Sequence, residues 1–318
     1  MRSGVRTDGG NGLYGDPAFA AFQQAVGAYQ RGQWADAEQL CRQVLSFNAG
    51  FFDALHLLGV LCAQTGRPDE GEALLSRAVL VNPHHAEAHC NRGNLLRELG
   101  RWEDALQCFD AALKIDRRSA LAHNLRGTVL MQLGRHEQAL ASFERAIKAR
   151  PDWAEAHGNR GAALQAVGRP EEALKCFDRS IIISPENALA HYNRANLLRE
   201  LGRNEEALAS YEQALRLRPD YAEALNNRGN VLRDLARFDE ALESYDRALQ
   251  AMPTLADAHN NRAVILQRLS RLDEALQCLD RALQARPAFA EALNNRASVL
   301  HALGHDDEAL ASIDQALK

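Results

Sequence analysis

AEALNNRGNVLRDLARFDEALESYDRALQAMPTL, residues 222–255, reads as two amphipathic helices joined by a short turn. Leu225, Gly229, Leu232 and Leu235 recur at helical spacing in its first half. Ala241, Leu242, Tyr245, Ala248 and Leu249 mark one apolar stripe in its second half. Pro253 ends the second helix and opens the next unit. The stretch therefore predicts a helical hairpin, and its neighbours predict many of them.

Working outward, Pro83, Pro151, Pro185, Pro219, Pro253 and Pro287 stand on one grid of 34 residues, whose only missing tooth is Arg117. A local frame takes position 1 at Ala18, Phe52, Ala86, Ala120, Ala154, Ala188, Ala222, Ala256 and Ala290. It divides the chain into 18–51, 52–85, 86–119, 120–153, 154–187, 188–221, 222–255, 256–289 and a shorter 290–318. A fixed period of this length makes each repeat one supersecondary unit. The turn between helices is usually Gly-Arg, as at Gly100-Arg101, Gly134-Arg135 and Gly202-Arg203. Glycine after a helix takes the left-handed conformation at little steric cost. Pro68 and Pro170 fall in the first turn of a second helix, where a missing N–H does no harm.

Small residues recur where helices should approach closely. Position 20 is Ala throughout except Gly71, and position 8 is Gly or Ala throughout. Position 24 supplies the larger partner: Phe109, Phe143, Phe177, Tyr211, Tyr245. Glycine inside a helix costs about 1 kcal/mol against Ala, so its recurrence needs a packing compensation.

Gly/Ala at position 8, Ala at 20, Phe/Tyr at 24, Ala at 27 and Pro at 32 resemble the tetratricopeptide-repeat (TPR) family over residues 18–318. The resemblance implies an all-α fold: a right-handed TPR superhelix, an α-solenoid of antiparallel helix pairs with a 34-residue period. It also implies a concave groove, lined mainly by the first helices, that binds proteins or peptides.

Asparagine marks that first helix. Position 6 carries Asn91, Asn159, Asn193, Asn227, Asn261 and Asn295; Leu125 interrupts the series beside Asn124. Position 9 adds Asn94, Asn196 and Asn230, on the same helical face. Asn within a helix is unfavourable by roughly 0.6 kcal/mol against Ala, so the six ladder copies cost on the order of 4 kcal/mol and need an offset. One reading is capture of an extended peptide, because a carboxamide offers donors and an acceptor to any peptide bond. The other is that each Asn bonds a neighbouring helix or turn. The runs LNNRGNVL and HYNRANLL look like the repeat arm of O-GlcNAc transferase-like and SPINDLY-type glycosyltransferases, in which an asparagine ladder holds the substrate backbone. That likeness implies groove residues Asn91, Asn159, Asn193, Asn227, Asn261 and Asn295. A carboxylate clamp is disfavoured, since position 2 is Glu87, Glu155, Glu223, Asp257 or Glu291 and position 5 has no Lys.

Two further rows read as structural. Position 7 is Arg92, Arg126, Arg160, Arg194, Arg228, Arg262 and Arg296. Position 25 is acidic in the same repeats: Asp110, Glu144, Asp178, Glu212, Asp246, Asp280 and Asp314. Joint presence predicts bidentate Arg–carboxylate pairs between first and second helices. Position 4 is His89, His123, His157, His191 and His259. Successive repeats hold these about 10 Å or more apart, too far for shared metal ligation at about 2 Å, so packing is expected. His85 with His89 lacks a third ligand, and no metal or cofactor is expected.

Composition fits this reading. The chain has 318 residues, 46% hydrophobic and 25% charged, with a formal charge of -5, which argues against a nucleic-acid binder. It has no apolar run long enough to span a membrane, and residues 1–17 lack the apolar core of a secretory signal and read as a flexible leader. Six scattered cysteines, Cys41, Cys62, Cys90, Cys108, Cys176 and Cys278, predict buried thiols in a reducing cytoplasm. No phosphate-loop, zincin or nucleophile-elbow motif appears, so the chain is expected not to be an enzyme. The expected function is a scaffold for an extended protein or peptide, the alternative a substrate-recruiting arm of a larger glycosyltransferase. Leu310, Ile313 and Leu317 lack a polar cap, so the chain is expected to belong to a longer polypeptide or to self-associate through that edge.

Overall fold

A computed structural model describes residues 17–317. The leader expected over 1–17 lies outside them, save Pro17, which opens the first helix. The chain divides into two compact units, one ending at Asp152 and one beginning at Trp153. The first holds α1 Pro17–Gln30, α2 Trp34–Phe47, α3 Phe52–Gln64, α4 Pro68–Val81, α5 Ala86–Glu98, α6 Trp102–Ile115, α7 Ala120–Gln132 and α8 His136–Ala149. The second holds α9 Ala154–Ala166, α10 Pro170–Ile183, α11 Ala188–Glu200, α12 Asn204–Leu217, α13 Ala222–Asp234, α14 Phe238–Ala251, α15 Ala256–Arg268, α16 Leu272–Ala285, α17 Ala290–Ala302 and α18 Asp306–Ala316. The fold is all-α, a solenoid of antiparallel helix pairs. None of these helices is long and apolar enough to cross a membrane.

The turn inside each hairpin is a helix-stop motif. In the third repeat Arg101 N–H donates to Leu96 C=O at 2.9 Å and Gly100 N–H to Arg97 C=O at 3.0 Å. This pairing satisfies two carbonyls that the helix end leaves without partners. It needs a positive φ at the middle residue, which Gly100 meets at 72° and Gly134 at 69°. Ala236 and Ser270 occupy the same place at φ 58° each. Between repeats the chain is extended before the grid proline, as at Met252 with φ -137° and ψ 88°. Where Arg117 replaces the proline, Asp116 keeps the extended backbone, and its carboxylate accepts from Arg118 N–H at 2.9 Å. An Asx turn there does what the proline does elsewhere.

Packing follows from position 8. A Cβ added at Gly127 would lie 2.5 Å from the Phe143 ring, and one at Gly229 2.5 Å from the Tyr245 ring. Gly161 and Gly93 stand in the same relation to Phe177 and Phe109. All of these rings are buried. Three of the repeats with Ala at position 8 carry a smaller partner at 24: Cys41, Leu279 or Ile313. The six cysteines are buried free thiols. Burial pushes Cys41 and Cys90 up to about 12, so they act as small packing groups.

Within each unit, consecutive first helices touch: α1 with α3, α3 with α5, α5 with α7, and likewise α9 through α17. Consecutive second helices have no such close backbone approach among the described residues; α2 and α4 are joined through side chains, Arg42 to Glu70. First helices therefore lie on the inside of each unit's bend and second helices on the outside.

The left-handed residues yield a stability test. A non-glycine there costs about 1–2 kcal/mol, and glycine gives back about 0.4–1 kcal/mol through the unfolded chain. Ala236→Gly and Ser270→Gly should therefore each stabilise the protein by roughly 0.5–1 kcal/mol. Denaturant unfolding midpoints check this, and a lowered midpoint would contradict it.

Candidate functional site

In the second unit the position-6 asparagines reach back one repeat. Asn261 Nδ2 donates to Asn226 Oδ1 at 3.0 Å, and Asn295 Nδ2 to Asn260 Oδ1 at 2.8 Å. Asn227 Nδ2 donates to the Tyr192 hydroxyl at 3.1 Å and to Asn196 Oδ1 at 3.0 Å. The acceptors at position 5 are held in turn. Asn260 is 1% exposed and donates to Glu291 at 3.0 Å, which fixes its oxygen toward Asn295. Buried Asn226 donates to Asn227 Oδ1 at 3.2 Å. At position 9, Asn196 and Asn230 accept from the hydroxyls of Tyr211 and Tyr245. Tyr192 sits 4.9 Å from the Tyr221 ring, which Arg218 covers at 4.1 Å.

The first unit shows the same reach with a different acceptor. Asn91 Nδ2 lies 2.8 Å from His56 Nε2, so the imidazole accepts there and carries its proton on Nδ1. Asn94 donates to Glu98 one turn along its own helix, at 2.9 Å. Asn124 is 1% exposed, and Asn159, in the second unit, is half-buried. Asn91, Asn227, Asn261 and Asn295 are thus struts between adjacent first helices. The 35-residue spacing from a polar position 5 to the next position 6 is the signal that exposes this bond.

The struts leave something over. Asn193 stands one repeat after Gly158, which has no side chain to accept from it, and it makes no side-chain hydrogen bond. The Oδ1 atoms of Asn91, Asn261 and Asn295 accept no hydrogen bond within the described residues. These half-buried carboxamides lie on the inner helices of their units.

The position-7 arginines differ from the expected bidentate forks. Arg126 Nε lies 2.6 Å from Asp110, the acid 16 residues before it in the preceding repeat. Its Nη1 donates to Ser142 Oγ in its own second helix at 2.7 Å. Arg194 joins Asp178 and Ser210 alike, Arg262 joins Asp246 and Cys278, and Arg296 joins Asp280 and Ser312. Arg228 donates to Ser244 and lies 3.8 Å from Glu212, and Arg160 donates to Cys176 Sγ at 3.2 Å. Arg92 turns to Glu72, because position 25 of the preceding repeat is Ser76. Glu144 is engaged, and Asp314 has no following arginine among the described residues. The guanidiniums of Arg126, Arg194, Arg228, Arg262 and Arg296 thus span two second helices, whereas Arg92 sets Nε and Nη2 on the one carboxylate of Glu72.

Forks exist elsewhere. The arginine that follows the left-handed turn residue grips the acid three residues on with two bonds: Arg169–Glu172, Arg203–Glu206, Arg237–Glu240 and Arg271–Glu274. The spacing Arg-x-x-Glu carried that signal.

The histidine row has a local duty. Nε2–H of His89, His123, His191 and His259 donates to the carbonyl six residues back, at 2.9–3.1 Å, bracing the turn between repeats. Burial holds His123 and His259 below the usual imidazole range and pushes His56 down to about 4. His85 Nδ1 accepts from Ala88 N–H at 3.2 Å, capping its helix. No group of three or more metal-ligating side chains comes together among the described residues.

Sequence profiles of the tetratricopeptide repeat match residues 28–89, 86–119, 118–185, 176–209, 220–288 and 260–318, and a TPR-repeat profile matches 195–235. The matched residues run from 28 to 318 without a gap. No curated protein matches the chain. Among solved structures, a chain of the APC/C hetero-tetramer Cut9–Hcn1 aligns over 91% of this chain and 57% of its own, at 17% identity and TM-score 0.63. MamA from Desulfovibrio magneticus RS-1 aligns over 54% of this chain and 96% of its own, at 20% identity and TM-score 0.50. YrrB, described as a TPR protein with an unusual peptide-binding site, aligns over 58% of this chain and 95% of its own, at 26% identity and TM-score 0.48. The first two likenesses are of fold.

The arginine register is open to a double-mutant cycle. Arg262 and Asp246 should couple by about 0.5–1 kcal/mol in unfolding, as partly exposed pairs do, and Arg262 and Asp280 by close to nothing. Stronger coupling to Asp280 would reverse the register. The histidines predict an acid limb. Their folded pKa values lie below the unfolded value of about 6.5, so the neutral form stabilises the fold above that pH and the unfolded chain binds more protons below it. Melting temperature should fall as pH drops from about 6.5, before carboxylates titrate, and His56→Gln should flatten that limb, which for His56 extends to about 4. A flat profile between pH 6.5 and 5 would contradict this.

Proposed function

The chain belongs to the tetratricopeptide-repeat family, and from that premise we propose that it is a non-catalytic protein-interaction scaffold. The inner helices of each unit hold an extended protein segment. The observation that carries this reading is the set of unused carboxamide groups on that face: Asn193 whole, and the oxygens of Asn261 and Asn295. An acceptor on a half-buried, pre-positioned side chain meets a peptide N–H with little entropy left to lose. Adjacent first helices stand on the order of 10 Å apart, and an extended chain rises about 3.4 Å per residue. One asparagine per repeat then meets about every third residue of the ligand. Contact to backbone rather than side chain makes such a face tolerant of sequence. Asn227, Asn196 and Asn230 support the face by holding its neighbours, and their engaged atoms leave them less to offer.

A second reading, the recruiting arm of a larger O-GlcNAc transferase-like glycosyltransferase, rests on the likeness of residues 225–232 and 191–198 to that family's repeat arm. It differs from the first only in requiring a catalytic domain on the same polypeptide. Self-association through α18 is a further proposal, supported by Leu310, Ile313 and Leu317 at 61%, 41% and 81% exposure.

The test uses a binder selected from a displayed peptide library against the whole chain. N-methylating its backbone at every third residue should weaken it at least tenfold, whereas permuting its side chains should weaken it far less. Asn193→Ala with Asn261→Ala and Asn295→Ala should lower affinity comparably with helicity kept. Binding that follows side chains and ignores both changes would sink the proposal.

A further inference from the structure

The outer side of the first unit carries a cleft that the inner-face reading does not use. It lies between the second helices α6 and α8, has a volume of about 650 Å3, and is lined by Asp110, Lys114, Arg117, His123, Arg126 and Arg145. The second unit has the same cleft between α14 and α16, about 720 Å3, lined at the equivalent places by Asp246, Gln250, Pro253, His259, Arg262 and Arg281. Among their ionisable lining residues, two positions separate them. Lys114 stands where Gln250 does, and Arg117 where Pro253 does. The first cleft therefore sets four cationic side chains against one carboxylate, the second two against one.

The single carboxylate is already spent, because Arg126 holds Asp110 at 2.6 Å. Asp116, at the end of α6, accepts from Arg118 N–H. Lys114, Arg117 and Arg145 have neither an ion pair nor a side-chain hydrogen bond among the described residues. Three unpaired cations from two helices and the loop between repeats thus face one concavity, in a chain whose formal charge is -5. Like charges gathered without a counter-charge repel one another, and an anionic ligand relieves the repulsion. The field is felt inside: Arg145 and Arg126 both push the His123 imidazole further down, after burial.

We propose that the cleft between α6 and α8 is a docking site for an acidic protein segment, whose Asp or Glu side chains enter among Lys114, Arg117 and Arg145. A nucleic acid suits it less well. Of the acids that open the two flanking helices, Glu103 and Asp104 are paired with Arg135 and Arg101, while Glu137, unpaired among the described residues, adds to the chain's overall negative charge in opposing a continuous polyanion. A short acidic cluster meets less of that opposition. The site is built mainly by the second helices and contains none of the position-6 asparagines.

The test uses the full chain and fluorescein-labelled hexaglutamate, with hexaglutamine as control, followed by anisotropy at about 50 mM salt and again at about 500 mM, where exposed charges are screened. Hexaglutamate should bind saturably and weaken at high salt, and hexaglutamine should not bind. Lys114→Gln with Arg117→Pro installs the uncharged residues that the second cleft carries at these two places. Asp116 already has the backbone a proline requires, and the Arg117 N–H makes no backbone hydrogen bond. That pair should weaken hexaglutamate about tenfold or more. Gln250→Lys with Pro253→Arg should add a second site of similar affinity. Arg145→Gln, an exposed change, repeats the test should the first pair lose helicity. No saturable binding, affinity unchanged in these variants, or a single-stranded oligonucleotide displacing hexaglutamate at lower concentration would each overturn the proposal.

Discussion

The contact of a bare or minimal position 8 with the ring or branched side chain at position 24 sets the geometry on which everything else rests. At Gly127 and Gly229 there is no room even for a methyl group before the ring of Phe143 or Tyr245 is struck. The two helices of a hairpin are therefore held at one separation, and a separation fixed in every repeat fixes the offset between repeats. A glycine in a helix costs about 1 kcal/mol, but a buried aromatic side chain returns roughly 1.5–3 kcal/mol, so the exchange favours the close approach. Three of the repeats that keep Ala at position 8 relax the partner to Cys41, Leu279 or Ile313. Gly59 with Leu75 and Ala195 with Tyr211 depart from that exchange, so the pairing is a trend along the chain and not a constant volume.

With hairpin geometry settled, the polar rows act between repeats. At position 7 the Arg126 guanidinium reaches the acid of the preceding second helix with Nε and the Ser of its own second helix with Nη1. The carboxylates are about half exposed, so the Coulomb contribution is small. What the arginine supplies is direction: a planar fork satisfied at both ends allows one spacing of adjacent second helices. On the inner side Asn91, Asn227, Asn261 and Asn295 tie consecutive first helices in the same manner. The histidine at position 4 braces the turn between them.

Much of this was legible in the sequence. The period, the pairing of helices and the Gly–aromatic contact follow from one repeat read against the others, because each depends on residues within a single hairpin. The partner of Arg126 was less plain. Its acid lies in the previous repeat, and a joint row of Arg and Asp along the chain cannot separate a pairing 18 residues forward from one 16 back. Only the stagger between stacked hairpins decides it. Arg92 shows the same point from the other side. It has Asp110 in its own repeat and binds Glu72 instead, since Ser76 occupies the position before it. The asparagine row was visible, but its bond to position 5 of the preceding repeat was hidden, because that position varies: His56, Tyr192, Asn226 and Asn260 all serve as acceptors. Different chemistry there gives one geometry and no repeated letter.

That variability locates function. In a repeat protein, a polar group that recurs with its partner is consumed by the repeat and has nothing left for a ligand. A departure from the pattern leaves a group behind. Gly158 removes the acceptor and frees Asn193. Arg117 replaces a proline whose only duty was to shape a turn, and an Asx turn at Asp116 takes over that duty, so the guanidinium has no structural task. Lys114 likewise stands where Gln250 suffices. Neither cation has an ion pair or a side-chain hydrogen bond among the described residues. Binding surfaces in such a chain are therefore found by subtracting one repeat from the next: what cancels holds the solenoid together, and what remains is available to a partner.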